Sequence, residues 1–309
     1  MIQDIAPRRF CNDFLRLAPE GGDLVLDFSA EGLLLANGRP PAVEAWRKSP
    51  AAENAALLYA FRLTGEAGSA GAPLPAFEAT VTARDAEKSV ASLPESAEER
   101  FFLALRAGDA EAPAPEPWQR TAPRALRTAP SPLPLVAATG LHLHHWYDTH
   151  RFCPRCAAPL KHADKERALA CPACGHIVYP AIAPCVIVAV THEDRLLLTR
   201  YARPGATHFV LVAGFVEIGE TAEQAAAREV MEETGLRIRN LRYAGSQPWG
   251  LSGTLAVGFV AELDGPDAIR LDTSELAEAR WVSRADIPPC PFSDSLTMNM
   301  IARFAKGEL

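Results

Sequence analysis

Apolar residues change their spacing several times along this chain, and each change marks an element. Apolar runs at 24–28 and 33–35 predict two strands of a hairpin, with Asn37-Gly38 as its turn. Residues 51–62 and 98–107 read as helices, and 77–84 (FEATVTAR) alternates as a strand does. Prolines crowd 110–134, which reads as an extended connection, and helical spacing returns over 137–152. Beyond it, 182–190 and 195–199 read as strands around a turn at 192–194, and 209–213 as a third. Residues 222–233 hold strong helix formers between a capping box, Thr221 with Gln224, and Gly235 at the C-terminal stop. Strands follow at 237–243, 255–263 and 279–282, and a final helix at 295–305. Interleaved strands and helices of this kind predict an α+β class with a mixed sheet.

The length of 309 residues exceeds one typical domain, so two or three are expected. A net charge of -7 argues against broad electrostatic binding to nucleic acid. MIQDIAPRRF lacks the apolar core of a signal peptide, and the longest apolar run is too short to span a bilayer. The expectation is a cytoplasmic protein without membrane contact. In such a chain, cysteines in CxxC pairs point to metal before disulfides.

Cys153-Pro-Arg-Cys156 and Cys171-Pro-Ala-Cys174 are two knuckles fourteen residues apart. Each aims two sulfurs at one point, and together they close a tetrahedral zinc site with no open position, so the zinc is structural. His142, His144, His145 and His150 precede the first knuckle. Four thiolates already complete the zinc site, so these histidines are assigned to a linker helix and its surface. Cys11, Cys185 and Cys290 read as ordinary thiols.

On the 222–233 helix, Glu229, Glu232 and Glu233 share one face at i, i+3 and i+4. Hard cations with oxygen ligands, Mg²⁺ or Mn²⁺, suit such a face and commonly grip phosphates. EVMEE alone describes a solvated acidic surface equally well. The wider pattern is narrower: Gly214, five residues, Glu220, seven residues, then Arg228-Glu229-Val230, Glu232-Glu233 and Gly235-Leu236. It resembles the Nudix box, the loop-helix-loop with which that superfamily binds divalent metal and hydrolyses nucleoside diphosphates linked to another group.

With the ribbon, the VYP after it and Ser246-Gln247-Pro248-Trp249, the chain from about Leu141 onward is similar to the zinc-ribbon NADH pyrophosphatase branch of that superfamily. The resemblance implies a Nudix α/β/α sandwich at 181–309, a Cys₄ ribbon at 151–180, a linker helix at 131–150 and a small N-terminal α/β domain at 1–130. It implies hydrolysis of NAD(H) to AMP and nicotinamide mononucleotide, and a homodimer. It places catalytic metal on the Ala213 carbonyl, Glu229, Glu233 and Glu275, with Glu232 completing the box and Glu278 competing with Glu275. Substrate contacts would fall on Arg124, Glu166, Tyr179, Phe215 and Ala302, and on Gln247, Pro248, Trp249, Gly250, Leu251, Ser252, Gly253 and Thr254.

Two departures stand out. The branch continues SQPW with PFPxS, whereas Gly250 to Thr254 here form an expected flexible turn without the stacking surface. Ala181 replaces the arginine expected after Tyr179-Pro180. ADP-ribose, another dinucleotide or the NAD cap of an RNA therefore stay open as substrates, as does a non-catalytic nucleotide-binding role.

Overall fold

The computed structural model describes residues 1–65, 98–106, 114–287 and 294–309. Two compact units divide the chain, one of Ile2–Ala181 and one of Ile182–Leu309 with Met1. The expected strand at 77–84 and Cys290 lie outside the described residues.

In the first unit, strands β1 (Arg9–Cys11), β2 (Leu24–Leu26), β3 (Phe28–Ser29), β4 (Gly32–Leu35), β5 (Ala55–Thr64), β6 (Glu99–Arg106) and β7 (Gln119–Thr121) build two sheets. Their orders are β1-β5-β6-β2 and β3-β4-β7. Two expected helices are strands instead, since 51–62 yields a 3₁₀ turn and most of β5, and 98–107 yields β6. Ala and Leu favour a helix locally, but pairing decides here. Phe61 stands opposite Phe101 in the antiparallel register, with ring centroids 5.1 Å apart.

The expected single hairpin is split between the sheets. β2 joins the first sheet, whereas β3 and β4 form a hairpin in the second. Asn37 and Gly38 do turn, both left-handed at φ 50° and 76°, and close a bridge between Ala36 and Arg39. The proline-rich stretch also departs from the expected extended connection. Over 119–121 it supplies β7, and Leu126 enters the core from a 3₁₀ turn.

Asp27 sits where the chain crosses from β2 to β3. It is fully buried, and its carboxylate accepts from Arg106 at 2.7 and 2.9 Å, Arg120 at 3.3 Å and the Trp46 indole at 2.8 Å. One carboxylate thus holds two guanidiniums whose side chains are 9% and 3% exposed. Asp27→Ala strands both charges and is expected to lower unfolding free energy by ~3 kcal/mol or more, read from the urea midpoint.

Helices α1 (Val43–Arg47) and α2 (Leu133–Thr149) complete this part. α2 buries Leu135, Val136, Leu143 and Trp146 against the sheets. Its histidines serve packing and chain closure. His144 lies 5.4 Å from the Phe28 ring, and the His142 and His150 rings bond the Ala181 and Trp146 carbonyls. Burial holds the His144 imidazole below its ordinary value.

The ribbon strands β8 (Lys161–His162), β9 (Leu169–Ala170) and β10 (Ile177–Val178) run in the order β10-β9-β8. Leu169 belongs to the same core as Phe61 and Leu135, with Leu160 and Val178 packed beside it. Arg167 donates to the Ala60 carbonyl at 2.6 Å.

The second unit contains β11 (Ala183–His192), β12 (Arg195–Tyr201), β13 (Val212–Phe215), α3 (Ala222–Thr234), β14 (Ile238–Trp249), β15 (Thr254–Leu263), β16 (Leu276–Ser283) and α4 (Leu296–Ala305). Its sheet runs β14-β15-β11-β12-β16, with β13 also paired to β11, and only β11 and β15 are parallel. Alternation along β11 builds the sandwich. Val186, Val188 and Val190 pack with Ala225, Ala226 and Val230 of α3, while Ile187 and Ala189 pack with Leu296, Met300 and Phe304 of α4. No helix among the described residues is long and apolar enough to cross a membrane.

Candidate metal and catalytic site

Local signals fix α3. Thr221 Oγ1 accepts from the Gln224 amide at 3.2 Å, and the Gln224 side chain accepts from the Thr221 amide at 2.9 Å. At the other end Gly235 is left-handed, φ 68°, and its amide returns to the Met231 carbonyl. The helix C-terminus receives the β15–β16 connection: Arg270 and Asp272 amides donate to the Thr234 and Glu233 carbonyls at 2.8 and 3.0 Å. The segment carrying Glu275 is thereby tied to the helix carrying Glu229 and Glu233.

Arg228 is the hub of this region. Nε and Nη2 grip the two Glu220 oxygens at 2.9 Å each, Nη1 reaches Glu229 at 2.7 Å and Glu232 at 2.9 Å, and Nη2 also donates to the Phe215 carbonyl at 2.9 Å. Five contacts match the five N–H donors of a guanidinium. Hydrogen bonds from Arg228 hold the Glu220 carboxyl below its ordinary value. Burial raises the Glu229 carboxyl, and Arg228 opposes that shift.

Glu233 has no such partner. It is 2% exposed, and neither carboxylate oxygen has a hydrogen-bond partner. Burial, with Glu229, Glu275 and Asp272 nearby, pushes its carboxyl up to about 8. A buried carboxylate with both oxygens unsatisfied fits a site for a cation. Glu275 is exposed, and its charge adds to the upward shift of Glu233. Its competitor Glu278 is engaged by Arg200 at 3.1 Å.

Gly214 lies opposite Val186 where β13 crosses Glu229, and a Cβ there would meet Glu229 Cδ at 1.9 Å. Ala213 precedes it, opposite Ile187. Phe215 follows, 55% exposed and opposite Cys185. Burial and Glu229 push the Cys185 thiol up to about 11.

The 247–254 stretch is a hairpin end, with Trp249 paired to Thr254. The Ser252 amide donates to the Trp249 carbonyl at 3.2 Å, Ser252 and Thr254 hydroxyls lie 3.1 Å apart, and Gly253 takes φ 70°. Thr254 also stands opposite Ala183, so this hairpin and the Phe215 end of β13 flank the start of β11 on its two sides. Gln247 is buried, and its amide bonds the Asp294 carbonyl at 2.9 Å and the Leu296 amide at 2.6 Å, holding the start of α4. Ala302 is half-buried on α4.

The remaining expected residues belong to the first unit. Tyr179 donates to Glu166 at 3.0 Å, and Arg124 is exposed before the 3₁₀ turn at Ala125–Thr128. The zinc knuckles match one another: Ala157 and Gly175, each four residues after a cysteine, are left-handed and return their amides to the Cys153 and Cys171 carbonyls. Zinc at ~2.3 Å from each sulfur would set the sulfurs about 3.8 Å apart. Sγ of Cys156 lies 3.4 and 3.5 Å from Cys171 and Cys174, and Cys153 lies 3.7 Å from Cys174. The set fits a structural zinc ion. Among the described residues it is also the one group of three or more Cys, His, Asp or Glu whose ligand atoms all lie within 4.8 Å. The α3 carboxylates do not form so tight a set.

Residues 181–300 match the NUDIX domain family, and 148–179 match the NADH pyrophosphatase zinc ribbon domain. Over 148–300 the chain is therefore similar to the zinc-ribbon branch of the Nudix superfamily. The chain is 42% identical over 166 residues to a Salmonella heidelberg (strain SL476) protein named NAD-capped RNA hydrolase NudC. A protein of the same name from Salmonella typhi matches at the same identity. The match covers 54% of this chain and 64% of either relative. A solved Nudix hydrolase from Nitrosomonas europaea aligns at 25% identity and a TM-score of 0.42, covering 50% of this chain and 90% of that one.

Sequence reasoning missed Tyr201. It ends β12, where the Ala202 amide beside it donates to the Glu275 carbonyl at 2.8 Å. Burial, with Glu233 the next cause, pushes it up to about 12. No local pattern signals this, because the position depends on pairing between β12 and β16.

Proposed function

We propose that this chain hydrolyses the diphosphate bond of NAD(H), releasing AMP and nicotinamide mononucleotide, with Mg²⁺ or Mn²⁺ at the box carboxylates. The observation that carries the reading is Glu233, buried with both oxygens unsatisfied beside Glu229 and Glu275. Glu229, Glu233, Glu275 and the Ala213 carbonyl would hold the metal, with Glu232 at the edge of the set. Bound there, the ion neutralises phosphate charge and lowers the pKa of water. Arg228 keeps Glu229 and Glu232 aligned and, with all five donors engaged, does not bind substrate itself. Phe215 and the 248–254 hairpin are the substrate-facing candidates of this unit. Gln247, Ala302, Arg124, Glu166 and Tyr179 are carried from the resemblance, and Gln247 acts by holding α4. A homodimer belongs to the same reading.

The relatives' name supports a second substrate with the same bond, the NAD cap of an RNA. Product analysis with Mg²⁺ and NADH, ADP-ribose or a short NAD-capped RNA separates these readings. The expected result is AMP and reduced nicotinamide mononucleotide from NADH, faster than ADP-ribose is cleaved. Faster cleavage of ADP-ribose, or release of a 5′-monophosphate RNA without NADH cleavage, would replace NADH as substrate. No cleavage of any would overturn the diphosphatase reading.

A further inference from the structure

Tyr201 and Arg203 have no role in the site described so far, yet they stand beside it. β12 ends in a bulge: Arg200 pairs with Glu278 but Tyr201 pairs with Leu276, so Ala277 is passed over. Past the bulge, the Ala202 amide donates to the Glu275 carbonyl at 2.8 Å, which ties the strand end to the acidic segment. The same acidic segment is tied to the Glu233 carbonyl through the Asp272 amide at 3.0 Å, so the end of β12 lies beside both glutamates.

Arg203 lies over the Tyr201 ring, with its guanidinium carbon 5.1 Å from the centroid. The Ala206 amide returns to the Arg203 carbonyl at 3.2 Å, so the backbone turns tightly there. Two neighbouring arginines are committed, Arg200 to Glu278 and Arg228 to Glu220, Glu229 and Glu232. Arg203 forms no ion pair with a carboxylate among the described residues and is exposed. An aromatic face holds a guanidinium by cation–π attraction and leaves its N–H edge open. Planar donors so presented suit phosphate oxygens, which accept charge-assisted hydrogen bonds. Glu233 and Glu275 alone would repel an anionic substrate, and a cation held at their border offsets that repulsion.

We propose that Arg203, seated on the Tyr201 ring beside Glu233 and Glu275, binds the diphosphate of the substrate and is a specificity-determining residue of this site. The assignment rests on the diphosphatase reading for its substrate, but its test includes binding without turnover. Calorimetric titration of ADP in Ca²⁺, and of adenosine as a phosphate-free probe, is paired with steady-state NADH hydrolysis in Mg²⁺. Arg203→Ala is expected to weaken ADP binding and raise KM roughly tenfold or more, with kcat changed by less than about threefold and adenosine binding unchanged. Arg203→Lys keeps the charge but loses the planar fork, so it should fall between wild type and Arg203→Ala. Tyr201→Leu removes the ring that seats the guanidinium and should weaken ADP binding in the same direction as Arg203→Ala, with adenosine binding unchanged.

Unchanged ADP affinity and KM in Arg203→Ala overturn the proposal, as does a loss confined to kcat or a failure of wild type to bind ADP. If wild type binds ADP through Arg203 but does not cleave NADH, Arg203 keeps its assignment and the diphosphatase reading falls. If wild type cleaves NADH and Arg203→Ala matches it in both assays, the reverse holds.

Discussion

Glu233→Gln should lower kcat by roughly a thousandfold or more while making the metal-free protein more stable. The two effects share one cause. Glu233 is buried with neither oxygen partnered. On the proposed reading a divalent cation supplies the missing partner, and an amide oxygen is a weaker ligand for a hard cation than a carboxylate. Without metal, the charge has only its burial cost. The folded carboxyl is raised from 4.5 to about 8, so between those values the folded state binds more protons than the unfolded state. Stability of the metal-free wild type therefore falls as pH rises through that window, with a ceiling of roughly 3 kcal/mol at pH 7. Thermal unfolding in chelator should show the wild-type midpoint dropping across the window and the Gln variant flattened. Adding Mn²⁺ should raise the wild-type midpoint far more than the variant's. Near-normal turnover by the variant, or equal stabilisation of both proteins by Mn²⁺, would remove Glu233 from the metal site.

What could be read from the sequence was local. The capping box, Gly235 and the glutamate spacing all lie within α3 or at its ends, and each is present in the fold. The two CxxC knuckles are equally local, and their sulfurs meet as expected. What could not be read required a partner elsewhere in the chain. Residues 55–64 contain good helix formers, and pairing with β6 on one side and β1 on the other makes them β5. Glu275 and Glu278 look alike in sequence; Arg200, on another strand, occupies the second and leaves the first beside Glu233. Gln247 shows the same dependence. Its tetrapeptide marks it for substrate, yet its amide bonds the start of α4, about fifty residues away in sequence. Tyr201 was invisible because a bulge sets its position, and bulges follow from pairing rather than composition.

Gly214→Ala should abolish most activity while leaving the fold in place. The added Cβ would lie 1.9 Å from Glu229 Cδ and 2.0 Å from Oε1, an overlap that some group must relieve. Moving β13 away would disturb its pairing with β11 at Val186, Ile187 and Val188. Swinging the Glu229 side chain aside breaks its 2.7 Å contact with Arg228, and an off-rotamer torsion adds about 1 kcal/mol. The second route disturbs far fewer contacts, so the carboxylate yields and the strand stays. Displacement of one metal ligand by an ångström or more should lower kcat about a hundredfold and weaken Mn²⁺ binding, with less than ~2 kcal/mol lost in stability. Combining Glu229→Asp with Gly214→Ala in one double variant tests the route directly. A shorter side chain relieves the overlap, so thermal stability should recover while activity stays low, because the carboxylate no longer reaches its place. Full turnover by Gly214→Ala would show that Glu229 does not need the position in which Gly214 and Arg228 hold it.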